Sequence, residues 1–179
     1  MIHIKSAREI QLMRRAGKIT AAARALAGKM VAPGVTTLEI DRAVHDFIVS
    51  QGAVPTFLGY GGYPANLCIS INDQVIHGIP DKNTVIREGD VVSIDVGATK
   101  DGYVGDCAAT FIAGRAKDQE AEKLVSVTRQ SFFEGIKFAR PGFRVSDIGS
   151  AIQQYVEANG FSVVREYVGH GGGREMHEE

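Results

Sequence analysis

Residues 91–111 read V-V-S-I-D-V-G-A-T-K-D-G-Y-V-G-D-C-A-A-T-F, two apolar, β-branched runs separated by a tight turn that contains Asp-Gly. Runs of this kind on either side of an Asp-Gly predict an antiparallel hairpin, with Asp95 on the first strand and Asp106 on the second. A four-residue loop over Thr99 to Gly102 sets the two aspartates directly opposite each other on one face, where Cβ atoms are about 4.5–5.5 Å apart. Closing the turn one residue later leaves them diagonal, with one solvated. Opposed carboxylates on apolar strands repel and lose hydration, so they need a proton or a cation between them. A pair of metal ions roughly 3.5–4 Å apart fits that spacing.

Upstream of the hairpin the period is helical. Ser6 and Glu9 form a capping box ahead of Leu12, Met13, Ala16, Ile19, Ala23, Leu26 and Met30, and Ala32-Pro33-Gly34 ends the run. Thr36 and Glu39 open a second helix with Ile40, Val44, Phe47 and Ile48 on one face and a stop at Gly52. Strands are expected over Leu67 to Ile71, Asp90 to Val96 and Tyr103 to Ile112, and helices again over Lys117 to Ala139 and Ser146 to Asn159. A strand is expected to begin after Gly160.

The order carries a faint internal repeat. P-G-V-T-T-L-E-I-D-R-A-V from Pro33 lies over P-G-F-R-V-S-D-I-G-S-A-I from Pro141, with Gly34 meeting Gly142, Ile40 meeting Ile148 and Gly52 meeting Gly160. Duplication implies two pseudo-symmetric helix-plus-strand halves on a shared antiparallel sheet, an α+β fold. On this reading residues 1–179 are a single domain, with a first half of about 1–114 and a second, incomplete half of about 115–179.

Composition sets the broad class. With 179 residues, 44% apolar content and a net charge of −1, the chain is long and apolar enough for one cored domain. Lys and Arg form no basic run, so neither nucleic acid nor an anionic membrane surface is indicated. The start, MIHIKSAREI, lacks the apolar stretch of a signal peptide, and no segment is long and apolar enough to span a bilayer, which points to the cytoplasm. Cys68 and Cys107 lack metal-type spacing and read as reduced thiols.

Outside the hairpin, the chemistry-bearing residues fall in loops. His170 sits in Y-V-G-H-G-G-G-R-E-M-H-E-E, a glycine-dense segment in which the backbone can approach a site closely; His177 follows in the same segment. His77 lies in N-D-Q-V-I-H-G-I-P beside turn residues. Each of these histidines, taken alone, is equally readable as a surface residue. The run F-L-G-Y-G-G-Y-P-A-N-L-C, Phe57 to Cys68, reads either as the wall of an apolar pocket through Tyr60, Tyr63 and Cys68 or as a buried loop.

Together, Y-x-x-Y-P, S-I-N-D-x-V-x-H-G-I-P, S-I-D-V-G-A, G-D-x-A-x-T-F and G-H-G-x-G-R-x-x-H-E-E resemble the motifs of type I methionine aminopeptidases, in order and over essentially the whole chain. The resemblance implies the pita-bread fold, two divalent metal ions, and hydrolytic removal of the initiator methionine from nascent chains by a metal-bound water. It implies that Asp95 ligates one ion, Asp106 bridges both and His170 ligates the second. His77 and His177 are then the catalytic histidines that contact substrate and stabilise the tetrahedral intermediate. Tyr60, Tyr63, Cys68 and Met176 line the methionine pocket, with Phe57 at its rim. Sulfur-tolerant apolar walls suit a thioether. The metals compatible with such a donor set are Co²⁺, Mn²⁺, Fe²⁺ and Zn²⁺. The implied partners are nascent polypeptide N-termini near the ribosome, and the implied complete form is a monomer.

The chain departs from the family pattern at Gly172, where isoleucine is usual, and at Met176, where an aromatic residue is common. The family also draws two glutamate ligands from its last strands, and Glu175, Glu178 and Glu179 do not stand at those motif positions. The chain as written is therefore expected to be inactive and marginally stable. Two other readings compete: a prolidase or Xaa-Pro aminopeptidase relative, and a noncatalytic pita-bread peptide-binding module. Tyr63-Pro64 and the absence of an extra N-terminal domain favour methionine over the first. Retention of Asp95, Asp106 and His170 argues against the second.

Overall fold

The computed structural model describes residues 2–179, which fall into two compact units. The first comprises residues up to Lys117 together with His170–Glu179, and the second is Asp118–Gly169.

In the first unit, α1 (Ala7–Met30) and α2 (Thr37–Ser50) both begin with the expected capping boxes, Ser6 with Glu9 and Thr36 with Glu39. Each box satisfies backbone N–H groups that the first helical turn leaves without partners. The strands are β1 (Val54–Pro55), β2 (Leu67–Ile71), β3 (Val91–Lys100) and β4 (Tyr103–Ile112). All pair antiparallel on β3: β4 along its whole length, β2 over Val92–Val96 and β1 at Ala98 and Thr99. Strand alternation puts Val92, Ile94, Val96 and Ala98 with Leu67 and Ile69 into one core with Ile40, Val44 and Ile48 of α2. The opposite face of the sheet carries Ser93, Asp95, Gly97, Cys68, Val104 and Asp106.

The buried stripe of α1 is Ala16, Thr20, Ala23 and Ala27, rotated from the expected one, with its larger apolar residues only half-buried. Small residues win because α1 lies very close to β4. A Cβ on Gly105 would come within 2.5 Å of Thr20 Oγ1 and 2.7 Å of the Ala16 carbonyl carbon. Backbone thus packs almost on backbone, which only alanine, threonine and glycine permit.

The hairpin corrects the expected register. Lys100 pairs with Tyr103, so the turn is the two residues Asp101 and Gly102, with φ of 53° and 76°. Positive φ at both central residues is the form whose twist matches the flanking strands, and Asp-Gly meets it. Thr99 and Lys100 therefore join the ladder rather than the loop. Asp95 opposes Ala108 and Asp106 opposes Gly97, which makes the aspartates diagonal neighbours on one face.

The second unit is a helical hairpin. Asp118 caps α3 (Gln119–Gly135), which runs into a short 3₁₀ turn at Ile136–Phe138, and α4 (Val145–Ala158) packs back on it. Gly135 is the close approach, where a Cβ would meet Ile152 Cγ1 at 2.7 Å. The strand expected after Gly160 is not formed: residues 161–169 contain no strand. An extended segment becomes a strand only when a neighbour accepts its backbone ladder, and none pairs there. Among the described residues no helix is long and apolar enough to cross a membrane.

Candidate active site

The face of the sheet turned away from α1 and α2 holds the chemistry. Asp95 is flanked in the ladder by Cys68 of β2 and Ala108 of β4, with Asp106 diagonal to it. Diagonal Cβ atoms lie about 7–8 Å apart, still within reach of carboxylates that lean together. Burial, reinforced by the Asp106 charge and a hydrogen bond shared with its carboxyl, pushes the Asp95 carboxyl up to about 7. The sheet thus holds a pair of carboxylates that resists carrying two negative charges.

His170 faces this pair, with Nε2 3.7 Å from Asp106 Oδ2. Its Nδ1 lies 3.0 Å from the Gly171 carbonyl oxygen, which can only accept, so Nδ1 carries the proton and Nε2 keeps its lone pair toward the carboxylates. His177 stands against it edge-on, ring centroids 4.4 Å apart, and its Nδ1 is 2.8 Å from the Tyr60 hydroxyl. A two-way bridge between Gly171 and Glu178 closes the loop and brings the two imidazoles together, each being the residue next to a bridge partner.

Beside the carboxylates lies a small apolar cluster of Phe57, Cys68, Val104 and Met176, with Tyr63 packed against it. Gly97 makes room for it, since a Cβ there would come within 2.5 Å of Phe57 Cε1. The Tyr63 hydroxyl shares its one proton between the carbonyls of Leu67 and Gly78 and so ties the pocket loop to β2. Burial raises the Tyr63 hydroxyl and the Cys68 thiol, keeping both neutral. Val104 was not among the expected walls. The signal for it was strand alternation, because it lies two residues before Asp106 on the same face.

The structure therefore gathers Asp95, Asp106, His170, His177 and Tyr60 by direct contact, and Phe57, Tyr63, Cys68 and Met176 into the adjoining pocket. His77 stands apart. It is exposed on left-handed backbone, φ 57°, and its ring joins none of these pairs among the described residues. Its neighbour Gly78 is pinned to β2, donating to Ser70 Oγ and accepting from the Ile69 amide. Among the described residues no three His, Cys, Asp or Glu side chains are drawn tightly enough to enclose a metal ion. The donor chemistry nonetheless fits one: two carboxylates that resist sharing a face as anions, and an imidazole lone pair turned toward them.

A sheet face with paired carboxylates, a histidine pair and an apolar side pocket is the equipment of a metal-dependent peptidase. The chain belongs to metallopeptidase family M24, whose model matches residues 11–179, and membership brings a divalent metal cofactor. Its relatives include the methionine aminopeptidase of Clostridium acetobutylicum, 52% identical over all of this chain and 71% of that protein. The methionine aminopeptidase of Escherichia coli K12 is 47% identical over 99% of this chain and 67% of its own length. The crystal structure of the Thermotoga maritima methionine aminopeptidase superposes with a TM-score of 0.97 at 44% identity, over 100% of this chain and 72% of that one. The fold is therefore the pita-bread fold of these enzymes. The Pyrococcus furiosus prolidase shares it, with a TM-score of 0.84 at 22% identity.

Proposed function

We propose that this protein is a methionyl aminopeptidase, hydrolysing the first peptide bond of chains that begin with methionine. The observation that carries the reading is the juxtaposition of the Asp95–Asp106 pair with the apolar cluster of Phe57, Cys68, Val104 and Met176. One part suits a cation and the other an unbranched thioether. Identity with methionine aminopeptidases well above that with prolidases favours methionine over a proline-directed substrate.

In this reading Asp95, Asp106 and His170 would hold two divalent ions from among Co²⁺, Mn²⁺, Fe²⁺ and Zn²⁺. When bound, such ions lower the pKa of water and polarise a carbonyl. The chain's own residues supply the rest. Phe57, Tyr63, Cys68, Val104 and Met176 seat the methionine side chain and exclude water from it. Tyr60 orients His177 through Nδ1, which leaves Nε2 to meet the developing oxyanion of the scissile carbonyl. His77, exposed in this structure, would serve as a second donor once substrate is bound. Water adds to the carbonyl carbon and gives up a proton, the C–N bond breaks, and the departing amine takes up that proton.

The substrates on this reading are nascent chains close to the ribosome, met in the cytoplasm by a monomer. On this reading α2 and α4 are the corresponding helices of a duplicated domain, the repeat lying between their entries. The test is hydrolysis of Met-Gly and Met-Leu peptides with Mn²⁺ or Co²⁺. Cleavage confined to a small second residue supports the proposal, and equal turnover of the two peptides counts against it.

A further inference from the structure

The N-terminal residues ahead of α1 have no part in the chemistry described so far, yet they reach the loop that carries both site histidines. Lys5 forms an ion pair with Glu178, at the far end of the chain, and the two side chains are only 17% and 15% exposed. The Glu178 carboxylate also accepts from the backbone amides of Arg174 and Glu175, at 2.7 and 3.2 Å. It lies directly over Gly173, where a Cβ would displace it. The backbone of Glu178 makes the bridge to Gly171, 2.9 Å in each direction. One residue thus closes the loop with its backbone and fills it with its side chain, between His170 and His177.

A second tie runs alongside. Glu9 of α1 accepts a hydrogen bond of 2.9 Å from the Tyr103 hydroxyl, Arg174 NH2 stands 3.8 Å from Glu9, and its guanidinium lies over the Tyr103 ring, 4.7 Å from the centroid. The Val104 amide donates to the Gly173 carbonyl, 2.8 Å. A cleft of about 310 Å³ between the arm and the loop is lined by His3, Lys5, Glu9, Arg174, Glu175 and Glu178.

We infer that Lys5 is a positioning residue: its ammonium latches the Glu178 carboxylate, and through it the closed loop that sets His170 beside His177. This rests on the functional reading above for the role of those histidines, but the latch itself is a property of the fold. Without Lys5 the largely sheltered Glu178 carboxylate loses the cation paired with it, and a carboxylate left so moves toward water. That movement opens the Gly171–Glu178 bridge and lets the imidazoles separate, while the sheet core stays intact.

The experiment compares Lys5→Ala, Lys5→Arg and, as a surface control, Lys18→Ala with the unsubstituted protein. Three quantities are read: the NOE between the His170 and His177 rings, amide exchange at Glu178, and kcat and KM on a Met-Gly peptide. In Lys5→Ala the NOE is lost, Glu178 exchange accelerates about tenfold or more, and kcat falls about tenfold with KM within about twofold. Lys5→Arg retains the NOE, and Lys18→Ala changes nothing. An unchanged NOE and unchanged exchange in Lys5→Ala overturn the latch. Equal turnover of Met-Gly and Met-Leu peptides would sink the functional reading alone, and the NOE and exchange decide the latch whether or not the unsubstituted protein turns over.

Discussion

Asp106 lies diagonal to Asp95 across the β3–β4 ladder, not opposite it, yet burial of Asp95, joined by the Asp106 charge and a hydrogen bond to its carboxyl, lifts Asp95 to about 7. The diagonal leaves Gly97 opposite Asp106, and that glycine opens the floor of the apolar pocket. Carboxylates and pocket are thus consequences of one register.

The pair is destabilising without a cation. Asp95→Asn removes one member of it and should stabilise the cation-free protein at pH 8 by on the order of 2 kcal/mol, allowing for partial solvent screening. The same substitution should abolish the rise in melting temperature on adding Mn²⁺. Urea titrations with and without metal measure both, and a destabilised cation-free variant would contradict the electrostatic account.

Asp106→Asn is expected to cost more activity than His77→Ala. Asp106 touches both Asp95 and His170, whereas His77 is exposed and enters only as a donor toward substrate, a contribution of about 10²–10³ in rate. Comparing kcat/KM for the two variants on a Met-Gly peptide with excess Mn²⁺ decides it. The reverse order would remove Asp106 from the centre of the site.

Gly97→Ala tests the pocket floor. The new methyl meets Phe57 Cε1 at 2.5 Å, a contact that forces the ring off its place over β3. KM for Met-Gly should rise about tenfold, the order of a lost apolar contact or a small misfit, with a smaller change in kcat. An unaltered KM would show that Phe57 does not border the methionine seat.

Stability toward acid should depend on Glu9. Hydrogen bonds from the Ser6 backbone amide and hydroxyl, and then from Tyr103, lower its carboxyl from 4.5 to about 2. The folded state therefore binds this proton less readily than the unfolded chain. The contribution is fully present above pH 4.5 and is lost as pH falls from there toward 2. Melting temperatures between pH 2 and 6 should fall less steeply for Glu9→Gln than for the unsubstituted protein, and parallel curves would refute the assignment.

Local signals in the sequence were sufficient for the helices, for both capping boxes and for the placing of Asp95 and Asp106 on one face of a hairpin. Such features depend on residues a few positions apart, whose hydrogen bonds and side-chain alternation are settled within the segment. Even the hairpin register was available in Asp101-Gly102, since that dipeptide suits a two-residue turn with positive φ at both positions. The alanine stripe of α1 was not, because it answers to Gly105 on a strand far along the chain. Nor could sequence bring Lys5 to Glu178 or seat Phe57 over Gly97. Contacts of that kind arise only when separate elements pack at a fixed distance, and the distance is chosen by the whole core rather than by either residue.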